Sequence, residues 1–144
     1  MGAEDDIRRR LVWHGMLLFL LGLRTGLAEP RFANLRMVLS AHLEGLMNGI
    51  FLVALGAAWA ALRLSARQSA ALFWTALIGT YLNWAATTLA AAFGTAALSP
   101  ITSAGHHGQP WQESLITLAF LAVAVTMIAC AVLAMVGARR IASS

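Results

Sequence analysis

Leu115-Ile116-Thr117-Leu118-Ala119-Phe120-Leu121-Ala122-Val123-Ala124-Val125-Thr126-Met127-Ile128-Ala129-Cys130-Ala131-Val132-Leu133-Ala134-Met135-Val136 contains no charged side chain and closes on Arg139-Arg140. A helix needs about 20 apolar residues to cross a bilayer, so this stretch is long enough to span one. It shows no alternation of period two, so a helix rather than a barrel strand satisfies its backbone in lipid. Three more stretches read the same way, at about 11–27, 37–62 and 69–93, the first following the charged head Glu4-Asp5-Asp6-Ile7-Arg8-Arg9-Arg10. The expected architecture is an all-α integral membrane protein, a four-transmembrane-helix bundle forming one domain over residues 1–144. There is no internal repeat, low-complexity tract or second domain.

Composition agrees. Of 144 residues, 60% are hydrophobic and 11% charged, whereas a soluble domain carries roughly 25% charged residues. A mean hydropathy of +0.74 excludes a disordered tail, a nucleic-acid-binding module and most soluble enzymes. The high isoelectric point, near 11.1, comes from ten arginines against six acids with no lysine. These arginines lie at segment ends rather than in one patch, so no nucleic-acid partner is expected. The single Cys130 permits neither a disulfide framework nor a cysteine metal site. A signal peptide is the alternative reading of the first stretch, but His14 and Gly15 interrupt it and no clean cleavage site follows.

Four spans place Arg8, Arg9, Arg10, Arg63, Arg67, Arg139 and Arg140 on one side, and Arg24, Arg31 and Arg36 on the other. The positive-inside rule then makes both termini cytoplasmic. The long loop from Gly94 to Gln112, with His106 and His107, is expected on the outer face or folded back over the bundle. Its histidines read as solvated residues or an adventitious metal pair. Trp13, Trp59 and Trp111 sit near span ends, where an aromatic belt belongs.

Polar side chains inside a span are costly, and each is a functional candidate. The spans hold His14, then His42, Glu44 and Asn48, then Thr80, Tyr81, Asn83, Trp84, Thr87 and Thr88. His42 lies six residues after Arg36, about 9 Å below the outer boundary, and Asn48 about 18 Å below it. The antiparallel third span brings Asn83 and Thr87 to a similar depth. One cavity is therefore expected to receive His42, Asn48, Asn83 and Thr87, with His14 nearer the inner side.

Rotation at about 100° per residue puts Gly45, Gly49 and Gly56 on the stripe that carries His42, and Glu44 with Asn48 on a different face. A histidine above a side-chain-free groove suits a flat group such as haem, whose iron takes a neutral imidazole. The alternative is that Gly45-x-x-x-Gly49 packs helices closely. Glu44 has two readings as well. A carboxylate in hydrocarbon needs a partner or a proton, so it serves as a proton shuttle or pairs with an arginine of the first loop. Asn83 and Thr87 either orient a substrate or hydrogen-bond between helices.

Trp13-His14-Gly15-Met16-Leu17-Leu18 and Ala41-His42-Leu43-Glu44-Gly45-Leu46-Met47-Asn48-Gly49 resemble the hydroxylaminobenzene mutases, small bacterial membrane enzymes of nitroarene degradation. The resemblance covers essentially the whole chain, and the second motif is the more specific. It implies conversion of phenylhydroxylamine to 2-aminophenol. A more distant similarity is to styrene oxide isomerase, whose members are trimers of four-helix protomers with haem b between subunits. That likeness implies a homotrimer, with His42 as haem ligand and Asn48 and Asn83 as site asparagines. Where that family has a catalytic tyrosine this chain has Thr87, and where it has an aspartate this chain has Gly79. Both departures favour the mutase.

The expected chemistry is an isomerisation on a small aromatic hydroxylamine, with ferric haem b on His42 acting as a Lewis acid. Gly45 and Gly49 would complete the cofactor site, with Asn48, Asn83, Glu44 and Thr87 as catalytic residues. Asn48 and Asn83 would orient the substrate, and Glu44 would relay the proton lost at rearomatisation. The rivals are an epoxide isomerase, an electron-carrying b-type cytochrome and a noncatalytic scaffold or small transporter. Small residues at Gly79, Asn83, Ala90 and Gly94 form a stripe suited to contacts between protomers.

Overall fold

In the computed structural model, residues 2–32 and 34–139 are described (of Ala3 the backbone only), and every regular element among them is helical. Arg140, counted above among the basic residues, lies outside the described residues. The helices are α1 (Ala3–Leu27), α2 (Leu35–Ala58), α3 (Ala66–Phe93) and α4 (Pro110–Arg139). At 1.5 Å per residue each is about 36 Å or longer, enough to cross the hydrocarbon core.

The charged head is part of α1 rather than a lead-in to it. Glu4, Asp5 and Asp6 occupy its first turn, where the partial positive charge of a helix N-terminus favours them. One turn on, Asp5 pairs with Arg8 at 3.7 Å and Asp6 with Arg9 at 2.9 Å. The Asn34 side chain caps α2 by accepting from the Met37 amide at 3.0 Å. α3 starts in a reciprocal Ser65/Gln68 capping box and stops at Gly94, whose φ of +66° a residue with Cβ adopts only under strain. α2 through its terminal 3-10 turn (Leu35–Ala61) and α4 are apolar enough to span, at hydropathies of 1.6 and 2.7. α1 and α3 are equally long, but Arg8 to Arg10, Arg67, Asn83 and their neighbours dilute their apolar character.

α2 packs between α1 and α3, α4 lies against α3, and α1 touches α3 over a shorter length. Large apolar side chains remain exposed on every helix, among them Met16, Met47, Ile78 and Val125, as a lipid-facing surface requires. Two apolar clusters fill the interior. One, toward the N-terminal end of α1, gathers Leu11, Leu18, Leu52, Leu72 and Phe73; the other, toward the opposite end, gathers Met37, Val38, Ala90, Ala91 and Ile116. Trp59, in the 3-10 turn Trp59–Ala61, belongs to the first cluster and is only 4% exposed. It is a core residue, unlike the exposed Trp13 and Trp111.

The loop after α3 folds back over the end of the bundle away from the N-terminus. The Asn34 amide donates to the Thr102 and Ser103 carbonyls, both at 3.0 Å. The half-buried Glu113 carboxylate accepts from the backbone amides of Ala96, Ala97 and Gly108 at 2.8–3.1 Å. These bonds hold its carboxyl below the usual carboxylate range. His106 and His107 stay exposed. The stripe expected to join protomers is used within the chain: Gly79 faces Met127 and Thr126 of α4, Ala90 is in the core, and Gly94 lies against His106.

Candidate functional site

Between the two apolar clusters the interior turns polar. Glu44 and Asn48 project from successive turns of α2, and Asn83 meets them from α3. Glu44 Oε2 accepts from Asn83 Nδ2 at 2.5 Å and from Asn48 Nδ2 at 3.3 Å. Asn48 is buried, while Glu44 and Asn83 are half-buried, so the group is open on one side. The alternative of an arginine partner for Glu44 is not realised: among the described residues the ion pairs are Asp5–Arg8 and Asp6–Arg9 alone. Two amides therefore take the place of a counter-ion. Hydrogen bonds to a carboxylate are worth about 1.5–3 kcal/mol each when charge-assisted, so the pair offsets part of the cost of placing Glu44 among apolar groups. Each amide keeps its other N–H and its carbonyl oxygen.

Thr87 lies one turn beyond Asn83 but does not join this group. It is buried, and its hydroxyl donates to the Asn83 carbonyl at 2.9 Å. Back-bonding to the preceding turn is the ordinary resting state of a helical threonine. Thr80 does the same with Ala76.

His42 is half-buried and points elsewhere. Its Nδ1 donates to the Gly22 carbonyl of α1 at 2.8 Å, and Gly26 leaves room for the ring. Two residues along a helix amount to about 200° of rotation, so His42 and Glu44 occupy opposite faces of α2. The single cavity expected to receive His42 together with Asn48, Asn83 and Thr87 is not formed. That Nδ1–H bond fixes the tautomer with its lone pair on Nε2, the arrangement found in metal-ligating histidines.

Gly45 and Gly49 likewise face α1 rather than an open groove. A Cβ on Gly22 would stand 2.8 Å from the Gly45 carbonyl carbon, and one on Gly49 would stand 2.7 Å from the Gly15 oxygen. The close-packing alternative is the one realised, and α1 fills the space in which a porphyrin would lie. The free His42 Nε2 could take a metal, whereas Gly45 and Gly49, packed on α1, do not fit as a haem cradle. Among the described residues no group of three or more His, Cys, Asp or Glu could hold a metal ion.

Two pairings were not anticipated from sequence. His14 Nδ1 lies 3.1 Å from the Tyr81 hydroxyl, which donates to the His14 carbonyl at 3.3 Å. Trp84 Nε1 donates to Thr25 Oγ1 at 3.1 Å. The spacing of Gly15, Gly22 and Gly26, seven and four apart on one face of α1, was the available signal for the α1/α2 seam. Gly26 packs at His42 and Gly15 at Gly49 and Val53, so His14 lies about 18 Å along α1 from the level of His42. The two histidines cannot share one iron within a chain.

The profile described as "Styrene oxide isomerase" matches residues 7–139. Among curated proteins, hydroxylaminobenzene mutase HabB of Ectopseudomonas oleovorans is 45% identical over 138 residues, covering 95% of this chain and 84% of its own. Hydroxylaminobenzene mutase HabA of the same organism is 38% identical over 127 residues, covering 88% of this chain and 94% of its own. No solved structure matches.

Proposed function

From a chain that belongs to the styrene oxide isomerase family, we propose a membrane-embedded mutase that converts an arylhydroxylamine, with phenylhydroxylamine as the type substrate, to the ortho-aminophenol. The enzyme is an isomerase, as its relatives are named. The observation that carries the finer reading is the Glu44–Asn48–Asn83 group, a carboxylate without a cation in an apolar surround.

The reaction moves a hydroxyl from nitrogen to the ring without net oxidation. The N–O bond breaks with its electron pair on oxygen, and that oxygen forms a bond to the ortho carbon. The ortho C–H proton then leaves, its electron pair restores the aromatic ring, and the nitrogen gains a proton. Glu44 suits the transfer: as carboxylate it takes the ring proton, and as acid it returns one to nitrogen. General acid–base catalysis of this kind contributes about 10²–10⁴-fold. Asn83 and Asn48 hold the Glu44 oxygen, and their remaining amide atoms are available to orient the N–OH group. The apolar wall above and below excludes water, which would otherwise capture the cationic ring at the para position.

The proposed cofactor is haem b, which His42 Nε2 would hold. When bound, it would supply Lewis-acid chemistry for the N–O cleavage. The proposed assembly is a homotrimer in a bacterial inner membrane, with four spans and both termini cytoplasmic, acting in the breakdown of aromatic nitro compounds. Epoxide isomerisation is the second reading, favoured by the name of the matching family. The Thr87 hydroxyl, donated to its own helix, offers no acid to an epoxide.

The test is paired. Detergent-purified protein is examined for a Soret band and assayed with phenylhydroxylamine and with styrene oxide, beside His42→Ala. The expected result is 2-aminophenol as product and a Soret band that His42→Ala abolishes. Phenylacetaldehyde from styrene oxide, with no aminophenol, would transfer the assignment to the epoxide reaction. An active protein without a Soret band would remove haem and leave Glu44 as the principal catalyst.

A further inference from the structure

The turn of α1 that faces His42 is nearly bare of side chains. Gly22 supplies the carbonyl that accepts from His42 Nδ1 at 2.8 Å, and Gly26 stands beside the imidazole, where a Cβ would come within 2.7 Å of Nδ1. On the facing helix, Gly45 packs directly on the Gly22 backbone. Glycines let two helices approach closely, but they offer nothing that interlocks. Neither Gly22 nor Gly45 therefore fixes the rotation of α1 against α2, and the direction of the Gly22 carbonyl follows from that rotation.

Thr25, between these two glycines of α1 and only 6% exposed, is tied elsewhere. Its hydroxyl donates to the Leu21 carbonyl at 2.9 Å and accepts from Trp84 Nε1 of α3 at 3.1 Å. The indole reaches α1 because Gly45 leaves it room: a Cβ there would stand 3.1 Å from Trp84 Cδ1. Among the described residues, the other side-chain hydrogen bonding between α1 and α3 is that of Tyr81 with His14. His14 precedes Thr25 by 11 residues, about 16 Å along the helix, too far to hold the carbonyl of Gly22.

We propose that Trp84 is a positioning residue for His42. It fixes the rotation of the Thr25 turn, that turn aims the Gly22 carbonyl, and the carbonyl keeps the His42 proton on Nδ1 and the Nε2 lone pair free. Such a role rests on the proposed mutase function, in which His42 acts. An indole suits the task because it is a donor only, so it meets the lone pairs of Thr25 Oγ1 while the threonine proton stays on Leu21. The preceding residue, Asn83, holds Glu44. Consecutive residues of α3 thus serve the two polar groups that α2 carries on opposite faces.

Three variants of the full chain separate this role from general packing. Trp84→Phe keeps an aromatic ring and deletes the N–H, Thr25→Ser keeps the acceptor, and Tyr81→Phe deletes the distant tie between α1 and α3. Each is unfolded in mixed micelles, alone and combined with His42→Ala, and each is assayed with phenylhydroxylamine. Trp84→Phe should lower the folding equilibrium constant about two- to tenfold. Most of that loss should vanish in the His42→Ala background, because members of one hydrogen-bond network are not additive. Tyr81→Phe should lose the same amount in both backgrounds. In Trp84→Phe, kcat should fall about 10–100-fold with KM little changed, while Thr25→Ser keeps wild-type values. A Trp84→Phe loss that persists in full without His42, or a Tyr81→Phe loss that also depends on His42, makes Trp84 a packing residue and overturns the proposal. So does a wild-type kcat in Trp84→Phe. A wild type that forms no 2-aminophenol removes the mutase reading instead, and the stability cycle then decides the role of Trp84 by itself.

Discussion

Adding a single methyl group at Gly45 tests whether the α1/α2 seam positions His42. A Cβ there would lie 2.9 Å from the Gly22 amide nitrogen and 3.1 Å from Trp84 Cδ1, where 3.4–4 Å is ordinary contact. The Gly22 obstacle is backbone, so no rotamer change relieves it and α1 must move away by roughly an ångström. A gap of 0.5–1 Å forfeits a quarter to a half of each contact it opens, and overpacking of this kind costs about 1–3 kcal/mol. The same movement would stretch the 2.8 Å bond from His42 Nδ1 to the Gly22 carbonyl toward 3.6 Å, where about 1 kcal/mol of hydrogen bonding is lost. Gly79→Ala is the matched control, since its nearest neighbours are Sδ and Cγ of Met127. A thioether with three rotatable bonds can swing aside, so that variant should remain within about 1 kcal/mol of wild type. Unfolding both variants in mixed micelles with increasing dodecyl sulfate gives the comparison, and the proposed haem is sought by its absorption in the same samples. Loss of the second contact to a metal-ligating histidine typically costs 10–100-fold in affinity or activity, so Gly45→Ala should be impaired in both stability and function. Equal stability of the two variants, with His42 chemistry intact in Gly45→Ala, refutes the seam as the element that aims His42.

Glu44→Gln removes the base and keeps the shape; turnover of phenylhydroxylamine should fall about 10²–10⁴-fold with little change in melting, and a loss under tenfold would leave Glu44 a packing residue. Tyr81→Phe deletes the bond to His14 and should cost about 0.5–1.5 kcal/mol in the same micelle titration; no change would mean that the pair contributes nothing to the α1/α3 contact. Glu113, with its carboxyl below the usual range because backbone amides favour the charged form, contributes stability that is complete above the unfolded value and is lost as pH falls through its lowered folded value. Melting of the wild type should therefore decline below about pH 4.3, whereas Glu113→Gln should start lower and be flatter across that window; parallel curves would show that another group controls the acid limb.

Helix number, element type and relative residue depth were legible in the chain, because each follows from a length or from a rise per residue. Depth arithmetic placed Asn48 and Asn83 at one level, and they meet there through Glu44. What could not be read was which face of α2 meets which neighbour. Rotation alone put Gly45 and Gly49 under His42, but whether that stripe receives a cofactor or a helix depends on the partner surface. The partner is α1, whose Gly15 and Gly22 supply the matching approach. Thr87 misled for a related reason: position on a helix does not say where a hydroxyl points, and a threonine can always return its proton to the preceding turn. Trp59 was assigned to the interface by its place near a span end, before the 3-10 turn that buries it could be known.

The opposed faces of α2 set the terms for any chemistry that uses both of its polar groups. His42 looks toward α1 and Glu44 toward α3, so no interior path joins them. The remaining arc of the helix carries Leu39, Leu43, Met47 and Ile50, all exposed. At about 100° per residue these fall roughly 60–140° from His42, between it and Glu44 at about 200°. A molecule that touches the free Nε2 of His42 and the open side of Glu44 must therefore lie across this apolar arc, outside the single chain. Lipid can cover the arc but cannot hold an aromatic hydroxylamine in one orientation against it. In the proposed trimer a neighbouring copy covers it. The second wall of the active site would then come from that neighbour, and a chain of this length would need no interior large enough to enclose both cofactor and substrate.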